Sequence, residues 1–358
     1  MKDDYLWEGS GQPDPEIQRL ESLLGRFRQS VPAPEFAAIP QTAPRRTWLW
    51  SWPWFADHRG LLGVAAAAAV VLVVGAAWLA WRRTNRPATP PSGWEVVRVA
   101  GTPYVGSNPL GQDRDSGTLR VGQTLVTDAH SRASMTVDEI GDVDVEPNTH
   151  LRLLQSGSAG KRLALDRGTI HAAIWASPGD FVVDTPSALA VDMGCAYTLQ
   201  VDDSGAGLLR TTLGWVGFKL GGREAFIPAG AACGMRPGIG PGTPCFEDAS
   251  ETLRAALSRF DFGSPDQRTA ELGAILEEAR PRDALTLWHL LARTQQNDRG
   301  RVYDRLAALV PPPAGVTRAG ILKLDQTMLD SWWNKLDLGD VSLWRTWERS
   351  WADTQPRK

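Results

Sequence analysis

Residues 60–81 read GLLGVAAAAAVVLVVGAAWLAW and carry no charged side chain. From 60 to 81 inclusive is 22 residues, which at about 1.5 Å of helical rise each span the roughly 30 Å of a hydrocarbon core. A lone segment in lipid must satisfy every backbone N–H and C=O within itself, and a continuous helix does so. The flanks fit. His58 and Arg59 precede the run, Arg82, Arg83 and Arg86 follow it, and Trp48, Trp50, Trp52, Trp54, Trp78 and Trp81 suit the two interfacial aromatic belts. The expectation is a single transmembrane helix. The alternatives are a buried core helix, for which the all-apolar run is long, and a cleaved signal peptide, which would be shorter and nearer the N-terminus.

One crossing places residues 1–59 and 82–358 on opposite sides of the membrane. Three arginines precede the run (Arg45, Arg46, Arg59) and three follow it (Arg82, Arg83, Arg86), so the positive-inside count is a draw. Lys plus Arg number 38 and Asp plus Glu 41, a formal net charge of -3. That balance lacks the clustered basic face of a nucleic-acid binder, so no direct nucleic-acid partner is expected. The three cysteines, Cys195, Cys233 and Cys245, have neither CxxC spacing nor a nearby histidine, which argues against zinc. Whether two of them pair as a disulfide stays open.

Before the apolar run, Asp14 can cap a helix whose first position suits Pro15, with Glu16 complementing the dipole. Ile17, Leu20, Leu23, Leu24 and Phe27 then share one stripe, which predicts an amphipathic helix over 15–29. That helix is too short to bury a core of its own, so the stripe wants a partner: a soluble protein, a second copy, or the membrane surface. Its flank carries Arg19, Glu21, Arg26 and Arg28 rather than a strongly basic face, which favours partner docking over lipid. Residues 30–44 form a proline- and alanine-rich linker.

After a proline-containing spacer over 82–93, the texture changes. Apolar and polar residues alternate at Ala133, Met135 and Val137, at Val143 and Val145, at Leu151 and Leu153, at Leu163 and Leu165, at Ile170, Ala172 and Ile174, and at Tyr197, Leu199 and Val201. Period two with Gly, Asn and Asp punctuation predicts an all-β domain of short strands over 94–247. Leu165-Asp-Arg-Gly168-Thr-Ile170 is faintly echoed by Leu213-Gly214-Trp-Val216, an internal repeat that predicts a rolled or solenoid-like sheet.

Five strings, over 121–137, 143–154, 165–174, 181–201 and 213–233, resemble in this order the FecR domain, the last of them through LGWVGF and IPAGAAC. The resemblance covers about 94–246. It implies a single-pass inner-membrane regulator of bacteria, with a cytoplasmic N-terminal segment that handles an extracytoplasmic-function sigma factor and a periplasmic β domain that senses a protein or envelope ligand. It also implies an N-in orientation, and it makes the stripe Ile17, Leu20, Leu23, Leu24 and Phe27 the sigma-factor contact. The chain departs from the family pattern at Gly194-Cys195-Ala196-Tyr197, where glycine-threonine is usual, and nothing after Phe246 matches the small α/β signalling subdomain of siderophore-linked members.

From 248 to 358 the periodicity is helical. Ser250, the Ser264-Pro265-Asp266 cap, Pro281 and Asp298 mark four starts, and 321–336 and 341–352 read as further helices, together a small bundle. Trp344, Trp347 and Trp351 share one face, which either packs on its own bundle or binds a periplasmic partner.

Chemistry-bearing patterns are weak. His58, His130, His150, His171 and His289 lack metal spacing or a neighbouring nucleophile. Residues 157–162 have a phosphate-loop flavour that fails at both ends and read as a hairpin turn. Residues 234–244, GMRPGIGPGTP, read as an extended inter-domain linker. Asp138, Glu139, Asp142, Asp144 and Glu146 could hold calcium but read better as a solvated edge. The expectation is therefore no enzyme, no cofactor and no metal: a signalling regulator, or alternatively a membrane-anchored envelope binding or scaffold protein.

Overall fold

The structure is a computed structural model that describes residues 93–354 apart from 112, 158 and 159. All of these belong to one compact unit, Leu79–Lys358. The expected amphipathic helix, linker, membrane-crossing run and spacer lie outside the described residues. Among the described residues no helix is long and apolar enough to cross a membrane.

The sheet-rich part comes first and a helical region follows. In chain order the strands are β1 (Gly93–Ala100), β2 (Tyr104–Val105), β3 (Asn108–Pro109), β4 (Ser116–Arg120), β5 (Thr124–Val126), β6 (Arg132–Val137), β7 (Gly141–Val145), β8 (His150–Gln155) and β9 (Lys161–Ile174). They continue with β10 (Phe181–Asp184), β11 (Leu189–Asp192), β12 (Cys195–Val201), β13 (Gly207–Leu213), β14 (Trp215–Leu220), β15 (Arg223–Pro228), β16 (Ala231–Arg236), β17 (Gly240–Pro241) and β18 (Cys245–Phe246). The helices are α1 (Glu251–Phe262), α2 (Pro265–Glu278), α3 (Ala284–Arg293), α4 (Gln296–Leu309), α5 (Arg318–Leu322), α6 (Gln326–Lys335) and α7 (Val341–Thr354).

The strands form two sheets that share β9. Sheet A runs β4-β1-β6-β7-β9-β12-β13-β16, with β17 and β18 on β16, all antiparallel. Sheet B runs β3-β2-β5-β8-β9-β10-β11-β14-β15, antiparallel except for β9 with β10. Two glycines let the chain change sheets. Gly168, φ +100°, separates the half of β9 in sheet B from the half in sheet A, and a Cβ there would overlap Thr149. Gly214, φ +67°, carries the chain from β13 in sheet A to β14 in sheet B, with Gly194 pressed against it. A positive φ at each site costs any other residue steric strain. The faint sequence repeat around these two glycines thus marks two crossings between sheets.

The core lies between the sheets and includes Trp94, Met135, Leu151, Leu165, Phe181, Leu199 and Phe218. It continues without a break into the helices through Phe226, Trp288, Trp333 and Trp344. Ser250 caps α1 and Ser264 closes a capping box on α2, each at its expected start. Two helical expectations shift: α4 begins at Gln296, before Asp298, and 321–336 breaks into α5 and α6 where Leu324 adopts φ +59°. The expected linker over 234–244 is largely structure. Gly240 pairs with β16 and Pro241, Gly242, Thr243 and Pro244 are buried, because the Asp261 carboxylate of α1 accepts from Thr243 N at 2.5 Å and Thr243 Oγ1 at 3.0 Å.

Candidate functional site

The outward face of sheet B offers the most developed concave chemistry among the described residues. β14 and β15 alternate in direction but bury both faces, because helices cover the outer one. Phe226 is the centre of that contact. Its ring lies 5.7 Å from Trp215, 5.8 Å from Trp288 and His289, 5.2 Å from Trp333 and 5.4 Å from Trp344, mostly edge-on, the arrangement that aromatic quadrupoles favour. Polar bonds fix the register. Phe226 N–H donates to His289 Nε2 at 2.9 Å, and His289 Nδ1 lies 2.8 Å from Leu285 O. A ring accepting at Nε2 must carry its proton on Nδ1, and burial drives its pKa down to about 3, keeping it neutral.

Buried ions hold the neighbouring edge. Arg293 donates to Glu224 O (2.6 Å) and Thr243 Oγ1 (3.0 Å), and Arg223 donates to Asp261 (2.7 Å). Arg345 of α7 reaches Glu224 at 2.9 Å and Asp330 at 3.2 Å.

From this centre the α7 indoles run outward over sheet B. Trp344 is fully buried against Gly217, where a Cβ would overlap the indole. Trp347 is buried over Gly179 on the same terms. Trp351 is half-buried, stacked on Trp347 at 5.4 Å, and Arg162 lies over its ring at 4.9 Å. Arg162 in turn forks onto Asp184 with two bonds of 2.7 Å, and Lys219 pairs with Glu348. A cleft of about 700 Å³ opens beside this ladder, walled by Lys161, Asp180, Val182, Thr346, Trp347 and Ser350, and a second of about 400 Å³ lies on the other side of Trp351. An aromatic wall edged by Arg, Lys, Asp and hydroxyl groups can stack a flat or apolar group and hydrogen-bond its polar edge.

The aromatic face of Trp344, Trp347 and Trp351 therefore packs on sheet B, with its first two indoles committed inside the chain. The expected stripe of Ile17, Leu20, Leu23, Leu24 and Phe27 lies outside the described residues. Sequence reasoning missed Arg162, Asp184 and Lys219, whose role depends on a helix far along the chain, and the clue was that 181–183 and 215–218 are too continuously apolar for a sheet with one wet face.

A second cluster sits inside. Asp192 is 1% exposed; its carboxylate accepts from Gly194 N at 2.7 Å and from the Cys195 thiol at 2.8 Å. Burial, with no cation among the described residues to offset it, pushes its pKa up to about 7. Burial and the adjacent carboxylate push Cys195 far above the usual thiol range and raise Tyr197 well above the phenol range. The Tyr197 hydroxyl is buried with no hydrogen-bond partner among the described residues. All three cysteines are free thiols. Cys245 pairs in register with Ala232, the neighbour of Cys233, so alternation turns the two thiols to opposite faces.

Among the described residues no three His, Cys, Asp or Glu side chains gather to hold a metal ion. Asp142 and Asp144 instead accept from Thr136 (3.0 Å) and Ser134 (2.7 Å) along the wet face of sheet A.

No family model matches this chain, and no curated protein does. Two solved structures are similar to it, both described as a "putative anti-sigma factor" from Parabacteroides distasonis ATCC 8503. One is 14% identical over 37% of this chain and 63% of its own, the other 13% identical over 42% and 73%, each with a TM-score of 0.32. The chain thus spans less than two thirds of the first.

Proposed function

We propose that this chain is a single-pass transmembrane regulator of the FecR type. Residues 60–81 cross the inner membrane, the cytoplasmic residues 1–59 control an extracytoplasmic-function sigma factor, and the β and helical unit senses a periplasmic protein or envelope ligand. The observation that carries the reading is the order of features along the chain: a short amphipathic stripe, an uncharged run of membrane length, then a β unit in which all five strings that resemble the FecR domain form consecutive strands from β5 to β16. The stripe residues Ile17, Leu20, Leu23, Leu24 and Phe27 are the sigma-factor contact in this proposal. A ligand outside can act inside only by binding two arrangements of the unit unequally.

The test is capture from membranes with the full chain and with the triple variant Leu20→Asp, Leu24→Asp, Phe27→Asp. A sigma factor retained by the native chain and lost by the variant supports the regulator. Equal retention of nothing specific, with the chain still in the membrane and transcription unchanged when residues 1–30 are deleted, replaces it with the anchored scaffold.

A further inference from the structure

Asp192, Cys195 and Tyr197 have no part in the function proposed above, yet their arrangement is costly. Asp192 ends β11 in sheet B, and Cys195 opens β12 in sheet A, so the pair occupies the turn by which the chain changes sheets. A buried carboxylate is normally matched by a cation or by several donors. Here the matches are the backbone amides of Gly194 and Cys195 and a thiol, a weak donor, with no cation among the described residues. Charged groups on the elements around the turn point elsewhere: Asp180 lines the cleft, Arg162 forks onto Asp184, Lys219 pairs with Glu348, and Asp142 of β7 faces Thr136. None of them bonds to Asp192. Burial disfavours the charged form, and the Tyr197 hydroxyl, buried without a partner among the described residues, supplies no donor to the carboxylate.

The turn is also mechanically connected. Asp192 O accepts from Gly179 N–H at 2.7 Å. Gly179 is the residue on which Trp347 rests, and it lines the 700 Å³ cleft. From the carboxyl group to the α7 anchor is thus one peptide unit and one hydrogen bond.

We infer that the Asp192 carboxyl group is a buried proton switch that, on losing its proton, loosens the Trp347 anchor of α7. The proton leaves to water in the cleft. The carboxylate left behind demands hydration, and the shortest route to it draws the turn toward the cleft, shifting Gly179 from beneath the indole. Helix α7 is then held by Trp344, the Arg345 bridges and the Lys219–Glu348 pair, without the Trp347 anchor between them. The inference concerns the described unit and stands whether or not residues 1–59 bind a sigma factor.

The experiment is hydrogen exchange on the full chain in detergent at pH 5.5 and pH 8.5, with rates corrected for intrinsic exchange, on the native protein and on Asp192→Asn. Protection in α7 of the native protein is expected to fall roughly tenfold or more at the higher pH, with β6, β7 and β9 unmoved. Asp192→Asn keeps α7 protected at both. Infrared difference spectra supply a reading that needs no variant: a protonated carboxyl band present at pH 5.5 and gone at pH 8.5. Equal α7 protection at both pH values, a uniform change across sheets and helices, the same pH change in Asp192→Asn, or the absence of the carboxyl band each overturns the inference.

Discussion

The two sheets are made by the same chain and joined through one strand, yet their outer faces live in different solvents. Sheet A shows water a row of hydrogen-bonded polar side chains: Ser134 with Asp144, Thr136 with Asp142, and His171 Nδ1 with Thr198 Oγ1 at 2.8 Å. Sheet B shows the helices Val182, Val191, Gly217 and Phe226, all buried. The strands differ accordingly. In sheet A, β6 and β12 bury every second residue, whereas β10 and β14 bury three and four in a row. A period-two strand can stand with one face wet, and a continuously apolar one needs cover on both. The helices that supply Trp288, His289, Trp333 and Trp344 are therefore the second wall of sheet B, whereas α1 lies against the β16 edge of sheet A through Phe262.

The largest blow to that contrast is Phe226→Ala. Removing the ring that touches five others should cost about 3–5 kcal/mol, read as a lower midpoint in denaturant, with the helices losing protection before sheet A. A loss below about 1 kcal/mol would mean that the helices are held by their ion pairs instead.

Next comes pH. A carboxyl whose folded pKa lies above its unfolded value of 3.8 binds its proton more tightly when folded, so its contribution is fully present below about pH 4 and is lost as pH rises to about 7. Asp192→Asn should therefore gain stability at pH 8, by at most about 4 kcal/mol at 1.36 kcal/mol per unit, and little at pH 4. His289 works with the opposite sign. Its folded pKa is depressed from 6.5 to about 3, so its contribution is present above pH 6.5 and is lost as pH falls through that window. The two slopes cancel between about pH 4 and 6.5, so a native plateau there is the expected profile in thermal unfolding, whereas Asp192→Asn, left with the His289 limb alone, should gain stability as pH rises across that window. An Asp192→Asn profile as flat as the native one from about pH 4 to 6.5 contradicts both assignments.

Gly217→Ala sharpens the comparison at one contact. The new Cβ would overlap the Trp344 ring, and overpacking of this kind costs about 1–3 kcal/mol, visible as altered tryptophan fluorescence with sheet A unchanged. The smallest effect is expected on the wet face, where Ser134→Ala and Thr136→Ala should shift stability by no more than about 0.5 kcal/mol. A larger shift in a melting curve would show that the polar row does more than meet solvent.

Much of this was written locally. The alternation at Ala133, Met135 and Val137, or at Tyr197, Leu199 and Val201, is visible in sequence because one face meets water and the next residue must suit it. Ser250 and Ser264 announce their helices because a cap acts within four residues. The run at 234–244 misled for the complementary reason. Its glycines and prolines describe local backbone, while its burial comes from Asp261 reaching Thr243 from the helix that follows.

The sequence by itself determined where the strands alternate, where glycine lets the chain change sheets, and where helices start, since each is decided by neighbours a few positions away. Tertiary structure alone decided that Trp344 and Trp347 rest on Gly217 and Gly179, and that Asp192 lies buried with no cation among the described residues to meet it. Those outcomes join residues more than a hundred positions apart or depend on a charge that never arrives. Only packing, which brings such residues within a few ångströms or keeps them from meeting, can settle them.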